Sequence, residues 1–190
     1  RLIKRRHIRA LRDGLAGTPR SANVFVQVAQ RVFDLLIEAG DAEINPAANI
    51  TPIAAGESYR AWTAEQMAAF EAAEVPAWAR TAYFLGRYTG QRRGDVLAMM
   101  WAHFDGRSIT VARQEKTDAR VVIPVHSRLA GHLAGLPRTS LFLIPSASGK
   151  KWDKRHFSRA LRAVLDGVGL AGLHFHGLRH TAASALAAAT

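Results

Sequence analysis

The sequence predicts a mainly α-helical protein with one small antiparallel β-sheet, an α+β class. Three observations predict it. Apolar residues recur at helical spacing through most of the 190 residues. Helix start signals stand at Ser21, Thr63 and Asp153. Only two stretches, Ser108–Arg113 and Arg120–Val125, are dense in Ile, Val and Thr, which suits one pair of strands.

Each element has its own warrant. Residues 1–13 read as a basic helix stopped at Gly14, and Ser21 reads as the N-cap of a second helix. Val24, Val28, Val32, Leu35 and Leu36 share one face of that helix, the expected packed face, and Gly40 stops it. Residues 41–58 carry two prolines and a glycine and read as a linker. Thr63-Ala-Glu-Gln66 spells a capping box. Pro76 suits the first turn of the next helix, which runs through Trp78, Phe84 and Leu85 to Thr89-Gly90. A short helix is expected around Gly94–Met100, then a turn at Asp105-Gly106. The two strands follow, with Gln114–Ala119 at their tip. Ser127–Leu136 reads as helix, Leu141–Ile144 as a short apolar run and Pro145–Gly149 as a loop. Asp153 caps a helix to about Asp166, and an Ala/Leu helix closes the chain.

Composition narrows the function. Hydrophobic residues make up 48%, enough for a real core, and the length allows one domain plus part of another. The formal net charge of +11 points to a polyanionic partner, nucleic acid first, with ribosomal or membrane surfaces behind it. Residues 1–20 hold Arg1, Lys4, Arg5, Arg6, Arg9, Arg12 and Arg20 against Asp13 alone. With no cysteine, disulfide scaffolds and thiolate metal sites are excluded. No apolar run approaches the ~18–20 residues of a membrane span, and no signal-peptide core follows the basic start. The chain begins and ends inside expected helices, without an initial Met, so it reads as a fragment at both ends.

Four places hold candidate chemistry. In Thr89-Gly-Gln-Arg-Arg-Gly-Asp95 a glycine turn hands an arginine to a helix start, so Arg92 and backbone N–H groups suit a phosphate, with Asp95 placed to hold the guanidinium. The plain alternative is a helix end followed by a solvated arginine pair. Lys116, at the strand-pair tip, is either a solvated lysine or a mobile proton donor. The segment His174-Phe-His-Gly-Leu-Arg-His-Thr181 puts His176 and Arg179 three apart, on one helix face. A proton-transfer group beside a fixed cation suits phosphate-ester chemistry. A metal nest of His174, His176 and His180 is the rival, but its spacing matches no zinc motif and no acid stands near. His180 reads as a support that bonds backbone or a carboxylate beneath the site. Lys4, Arg5, Arg6, Arg9 and Arg12 are either a solvated helix face or contacts to DNA phosphates.

The order of these features resembles the tyrosine recombinase (phage integrase) family: Thr89-Gly-Gln-Arg92 with Asp95, Lys116 in a hairpin, then His176-Gly-Leu-Arg179-His180-Thr181. Ile44-Asn-Pro-Ala47 also resembles the end of the family's core-binding domain. The resemblance implies an integrase-like catalytic domain over 59–190, incomplete at its C-terminus. Before it would come part of a helical core-binding domain (1–40) and a linker (41–58), the two parts closing on duplex DNA like a clamp. It implies site-specific recombination through a 3′-phosphotyrosyl intermediate. Arg92 and Arg179 would clamp the non-bridging oxygens, Lys116 would protonate the leaving 5′-oxygen, His176 would assist proton transfer, and Asp95 and His180 would support them. No cofactor and no metal are implied. The implied partners are double-stranded DNA and further copies of the chain, as a tetramer on DNA, with no membrane. The implied location is cytoplasmic, with the nucleoid, in a bacterial or phage setting. One departure is large: Tyr59, Tyr83 and Tyr88 are the only tyrosines, and none follows His-x-x-Arg. No nucleophile is therefore expected in this chain, which alone should bind DNA without cutting it. The alternatives are a DNA-binding module without chemistry and a metal-dependent hydrolase built on the histidines.

Overall fold

Two runs of helix open the chain. A computed structural model describes residues 3–54, 59–111 and 119–189. These fall into two units, 1–58 and 59–190.

In the first unit, α1 (Arg5–Gly14) is followed by α2 (Pro19–Glu38). Helix α2 starts before Ser21: Thr18 is its cap residue, and Pro19 fills the first helical position, where no N–H partner is needed. The packed face also differs from the expected one. Val24, Val28, Val32 and Leu35 are exposed, whereas Ala22 and Val26 are buried, backed by Phe25, Ala29 and Phe33. Helix α2 is apolar on two sides, and periodicity alone does not say which side finds a partner. That partner is the stretch expected to be a linker. Ala47 and Ile50 are buried against Ile8 and Val26. Asn23 exchanges two 2.8 Å hydrogen bonds with the backbone of Ile53, and the Asn45 amide donates to Gln30 O at 2.9 Å and Asp34 Oδ1 at 2.6 Å. Its composition suggests free coil, but Asn45 from the stretch and Asn23 from α2 fasten the two together.

The second unit opens with α3 (Ala64–Ala72). The Gln66 N–H donates to Thr63 Oγ1 at 3.2 Å, and the Thr63 N–H donates to Gln66 Oε1 at 2.9 Å, the expected reciprocal cap. Helix α4 (Ala77–Thr89) follows Pro76 and ends at Gly90, whose φ of 60° closes it in the left-handed conformation. Helix α5 is a single turn, Arg93–Val96, shorter than expected. Past it the backbone is claimed by another segment: the Leu143 N–H donates to Met99 O and the Trp101 N–H to Leu141 O, both at 3.0 Å. A 3₁₀ turn, Trp101–His103, leads to strand β1 (Ser108–Val111), which pairs antiparallel with β2 (Val121–Pro124). Ser108 faces Pro124 and Val111 faces Val121. Lys116 and most of the expected tip lie outside the described residues.

Helices α6 (Ser127–Ala134), α7 (Lys154–Gly167) and α8 (Phe175–Ala189) complete the unit. Asp153 caps α7 as expected, its Oδ1 accepting from Arg155 and His156 N–H. One core joins these elements, with Phe70, Tyr83, Leu85, Leu129, Leu133, Phe157, Leu165 and Leu178 fully enclosed. Gly86 lets α4 and α8 meet closely: a Cβ there would stand 3.0 Å from both Leu178 and Phe175. That contact brings the α4 C-terminus beside the start of α8. Among the described residues no helix is long and apolar enough to cross a membrane.

Candidate functional site

Two sequence motifs 87 positions apart meet at the end of α4. The left-handed Gly90 turns the chain out of the helix, and Arg92 follows in extended backbone at the threshold of α5. The turn is tied from within: Thr89 Oγ1 donates to Leu85 O at 2.6 Å, and the Gln91 N–H reaches Thr89 Oγ1 at 3.3 Å. From α8, Arg179 donates Nη1–H to Gly90 O at 2.8 Å. The turn that presents Arg92 therefore also fixes Arg179.

The letters of His176-Gly-Leu-Arg179-His-Thr181 divide by helical face. Phe175 and Leu178 point into the core. Gly177 sits where a Cβ would stand 2.4 Å from Arg60 O and 2.7 Å from the Trp62 ring, so no side chain fits. Thr181 Oγ1 accepts from the Trp62 N–H at 2.8 Å, and the Trp62 indole donates to His174 O at 3.0 Å. These bonds hold the first turns of α8 while His176, Arg179 and His180 face outward. His180 stands one turn above His176, their rings edge-on with centroids 5.0 Å apart. This ring contact, which four-residue spacing along the helix allows, is a different one from the bond to backbone or a carboxylate that the sequence suggested for His180.

A cleft of about 410 Å³ opens beside this turn. Arg92, Arg93, Lys154, Arg162, His174 and His176 bring nitrogen to its wall, Tyr59 and Ser158 bring hydroxyls, and no carboxylate is among its described lining residues. Asp95, on the first turn of α5, is only 4% exposed, so the nearest carboxylate in sequence is withdrawn into the protein. Partial burial of His176, followed by the positive charges of His180, Arg179 and Arg93, pushes its pKa below the ordinary value of 6.5. The ring is then neutral at neutral pH and keeps a lone pair able to accept a proton.

The predicted residues thus separate. Arg92 and His176 share the cleft, Arg179 is anchored on the Gly90 turn, Asp95 is buried, and Lys116 is outside the described residues. In the first unit, three of the five expected DNA contacts have internal work. Arg6 donates Nε–H to His7 Nε2 at 3.3 Å. Arg5 donates to Ala48 O at 2.8 Å, and Arg12 donates to Thr51 O at 2.6 Å and pairs with Asp13. Lys4, Arg6 and Arg9 are exposed on the same helix. Sequence reasoning passed over Tyr59, Arg93, Lys154, Ser158 and Arg162. Lys154, Ser158 and Arg162 recur every four residues on α7, which was the available signal. Tyr59 had none: its ring packs edge-on to His174 at 4.9 Å and tilted to His176 at 5.3 Å. Among the described residues, no group of three histidines or acids is placed to hold a metal.

The sequence profile of the phage integrase family matches residues 62–190. No curated protein sequence matches the chain. Among solved structures, a lambda integrase tetramer bound to a Holliday junction is 25% identical, with a TM-score of 0.81 over 96% of this chain and 59% of that one. A lambda integrase dimer bound to a COC′ core site is also 25% identical, with a TM-score of 0.80 over 95% of this chain and 56% of that one. The Tn1549 transposon integrase in complex with transposon right end DNA shares the fold at 14% identity, with a TM-score of 0.82 over 98% of this chain and 73% of that one. The chain thus spans less than two thirds of the lambda integrase chains in these two assemblies.

Proposed function

The chain belongs to the phage integrase family, and from that premise we propose that it is the phosphate-handling part of a site-specific DNA recombinase. Its partner is double-stranded DNA, met in the nucleoid by several copies of the protein, as a tetramer on the junction. The observation that carries this is the meeting at Gly90: Arg92 leaves the turn into a cleft with no carboxylate among its described lining residues, and Arg179 is anchored on the same turn's carbonyl.

The chemistry follows from these positions. A phosphodiester attacked in line gathers negative charge on its two non-bridging oxygens. Arg92 and Arg179 supply fixed charged donors to those oxygens, the stabilisation that a divalent metal gives in other phosphoryl-transfer sites. Lys116 gives its proton to the departing 5′-oxygen, so that oxygen leaves as a hydroxyl. His176, its pKa lowered by partial desolvation and by neighbouring positive charge, accepts the proton of the attacking hydroxyl. The attacking oxygen becomes the 3′-phosphotyrosyl link, and a second 5′-hydroxyl reverses the step on a new strand. The tyrosines here offer no nucleophile after Arg179. Tyr83 is buried and donates to Glu71 at 2.6 Å, and Tyr88 stacks on His126. Tyr59 stands before the catalytic elements in sequence and packs its ring on the two histidines.

The test has two parts. The chain alone, mixed with a nicked duplex, should bind without forming a covalent protein–DNA ester, and chelating divalent metals should change nothing. In a longer polypeptide carrying this chain and a tyrosine segment after it, Arg179→Ala should keep most duplex binding and lose ester formation by ~10²–10³-fold. Normal ester yield from that variant would remove Arg179 from its role.

A further inference from the structure

The cleft holds an arginine that the paired-oxygen scheme leaves unused. Arg93 follows Arg92 directly, yet it is matched to no acid among the described ion pairs. It is half-buried on the cleft wall, and its Nη1–H donates to Ser158 Oγ on α7 at 2.5 Å. Its Nε is hidden from solvent with no hydrogen-bond partner among the described residues. A guanidinium carries five N–H donors in a rigid fork. Here one is occupied by a neutral hydroxyl, which fixes the fork without cancelling its charge. Arg162 and Arg92 line the same cleft, and no carboxylate is among its described lining residues. Like charges gathered in one partly enclosed space repel each other, so the arrangement is relieved only by an anion entering it.

The geometry points to Arg93, held by Ser158, as a third phosphate-binding arginine of the cleft, taking a DNA backbone phosphate next to the one between Arg92 and Arg179. This rests on DNA being the partner. The two guanidiniums leave adjacent backbone positions, and Arg93 is pinned to α7 while Arg92 is not so pinned by any described bond. They therefore suit successive phosphates of one strand better than one phosphate shared. Ser158 is a positioning residue: it touches Arg93, not the DNA.

Salt dependence counts phosphate contacts directly, since each neutralised phosphate releases condensed counterions. Log affinity against log salt should be measured for the unaltered chain on a short labelled duplex, together with melting temperatures. Arg93→Ala and Arg93→Gln should each flatten the slope by ~0.9, the value of one lost phosphate contact. Arg93→Lys should retain the slope. Ser158→Ala should retain it too, because the charge stays, while affinity falls by up to ~10-fold through loss of the aim that one hydrogen bond provides. An unchanged slope in both Arg93→Ala and Arg93→Gln overturns the inference. So does a lower melting temperature with the slope intact, because Arg93 is then only a strut between α5 and α7. If Arg93→Ala does not fold, Arg93→Gln, of similar length, decides alone. A flat slope in the unaltered chain is a different failure, that of DNA as partner.

Discussion

Gly177 shows what one absent side chain does for the site. Its α-carbon lies so close to Arg60 O and the Trp62 ring that a methyl group has nowhere to go. The neighbour that must yield is backbone, so the strain passes to the bonds holding His174 and Thr181. Overpacking of this kind costs about 1–3 kcal/mol. Gly177→Ala should lower the melting temperature of the chain by about 5–10 °C. It should also move the His176 ring resonances in an NMR spectrum. An unaltered melting temperature and spectrum would show that the backbone yields freely there. The identities of His176 and Arg179 were legible from their spacing. The need for glycine between them was not, because Arg60 and Trp62 lie more than a hundred residues away.

At the scale of elements, one carboxylate ties three helices on the flank of the core. Glu71, in the last turn of α3, accepts from Tyr83 at 2.6 Å and from Arg87, both on α4, and from Arg128 of α6 at 2.7 Å. Burial raises the Glu71 pKa, but the hydrogen bonds from Tyr83 and Arg128 and the charges of Arg128 and Arg87 outweigh it and hold the group below its ordinary 4.5. A carboxyl depressed on folding adds stability above its unfolded pKa and loses it as pH falls through the folded one. Glu71→Gln should therefore cost about 1–2 kcal/mol near neutral pH. The difference from the unaltered chain should vanish in acid, well below the ordinary glutamate range. Denaturant titrations at both pH values check this, and a gap that persists in acid would refute the sign. Elements with local signals were readable in advance: the Thr63 cap, the Asp153 cap and the two strands. Elements whose fate depends on a distant partner were not. The packed face of α2 awaited Ile50, and the early end of α5 awaited Leu141–Leu143.

For the molecule as a whole, the division at residue 58 has a consequence for experiment. Every described residue lining the cleft, and both partners of the Arg179–Gly90 bond, belong to 59–190. Its core draws on that unit alone, as the smaller core around Ile8 and Ile50 draws on the first. Residues 59–190 expressed alone should fold cooperatively, and their titration of His176 should match that of the whole chain. A molten 59–190, with no sharp thermal transition, would show that the cleft depends on the first unit. Much of this organisation was legible from order in sequence, since Arg92 and His176-x-x-Arg179 carried the family resemblance. The α7 wall of the cleft was not, because Lys154, Ser158 and Arg162 look like the polar face of any surface helix until Arg93 is seen against them.

The bond from Arg179 to Gly90 also bears on how fast and how tightly a ligand is held. A free arginine on a helix surface samples many rotamers, and freezing such a side chain on a ligand costs about 0.5–1.5 kcal/mol. In this chain that freezing is already done by the backbone carbonyl of a rigid turn. One N–H is occupied and the rest of the fork is left aimed. The entropy is surrendered when the protein folds, so under the proposed function a phosphate would meet a receptor that is preorganised rather than recruited.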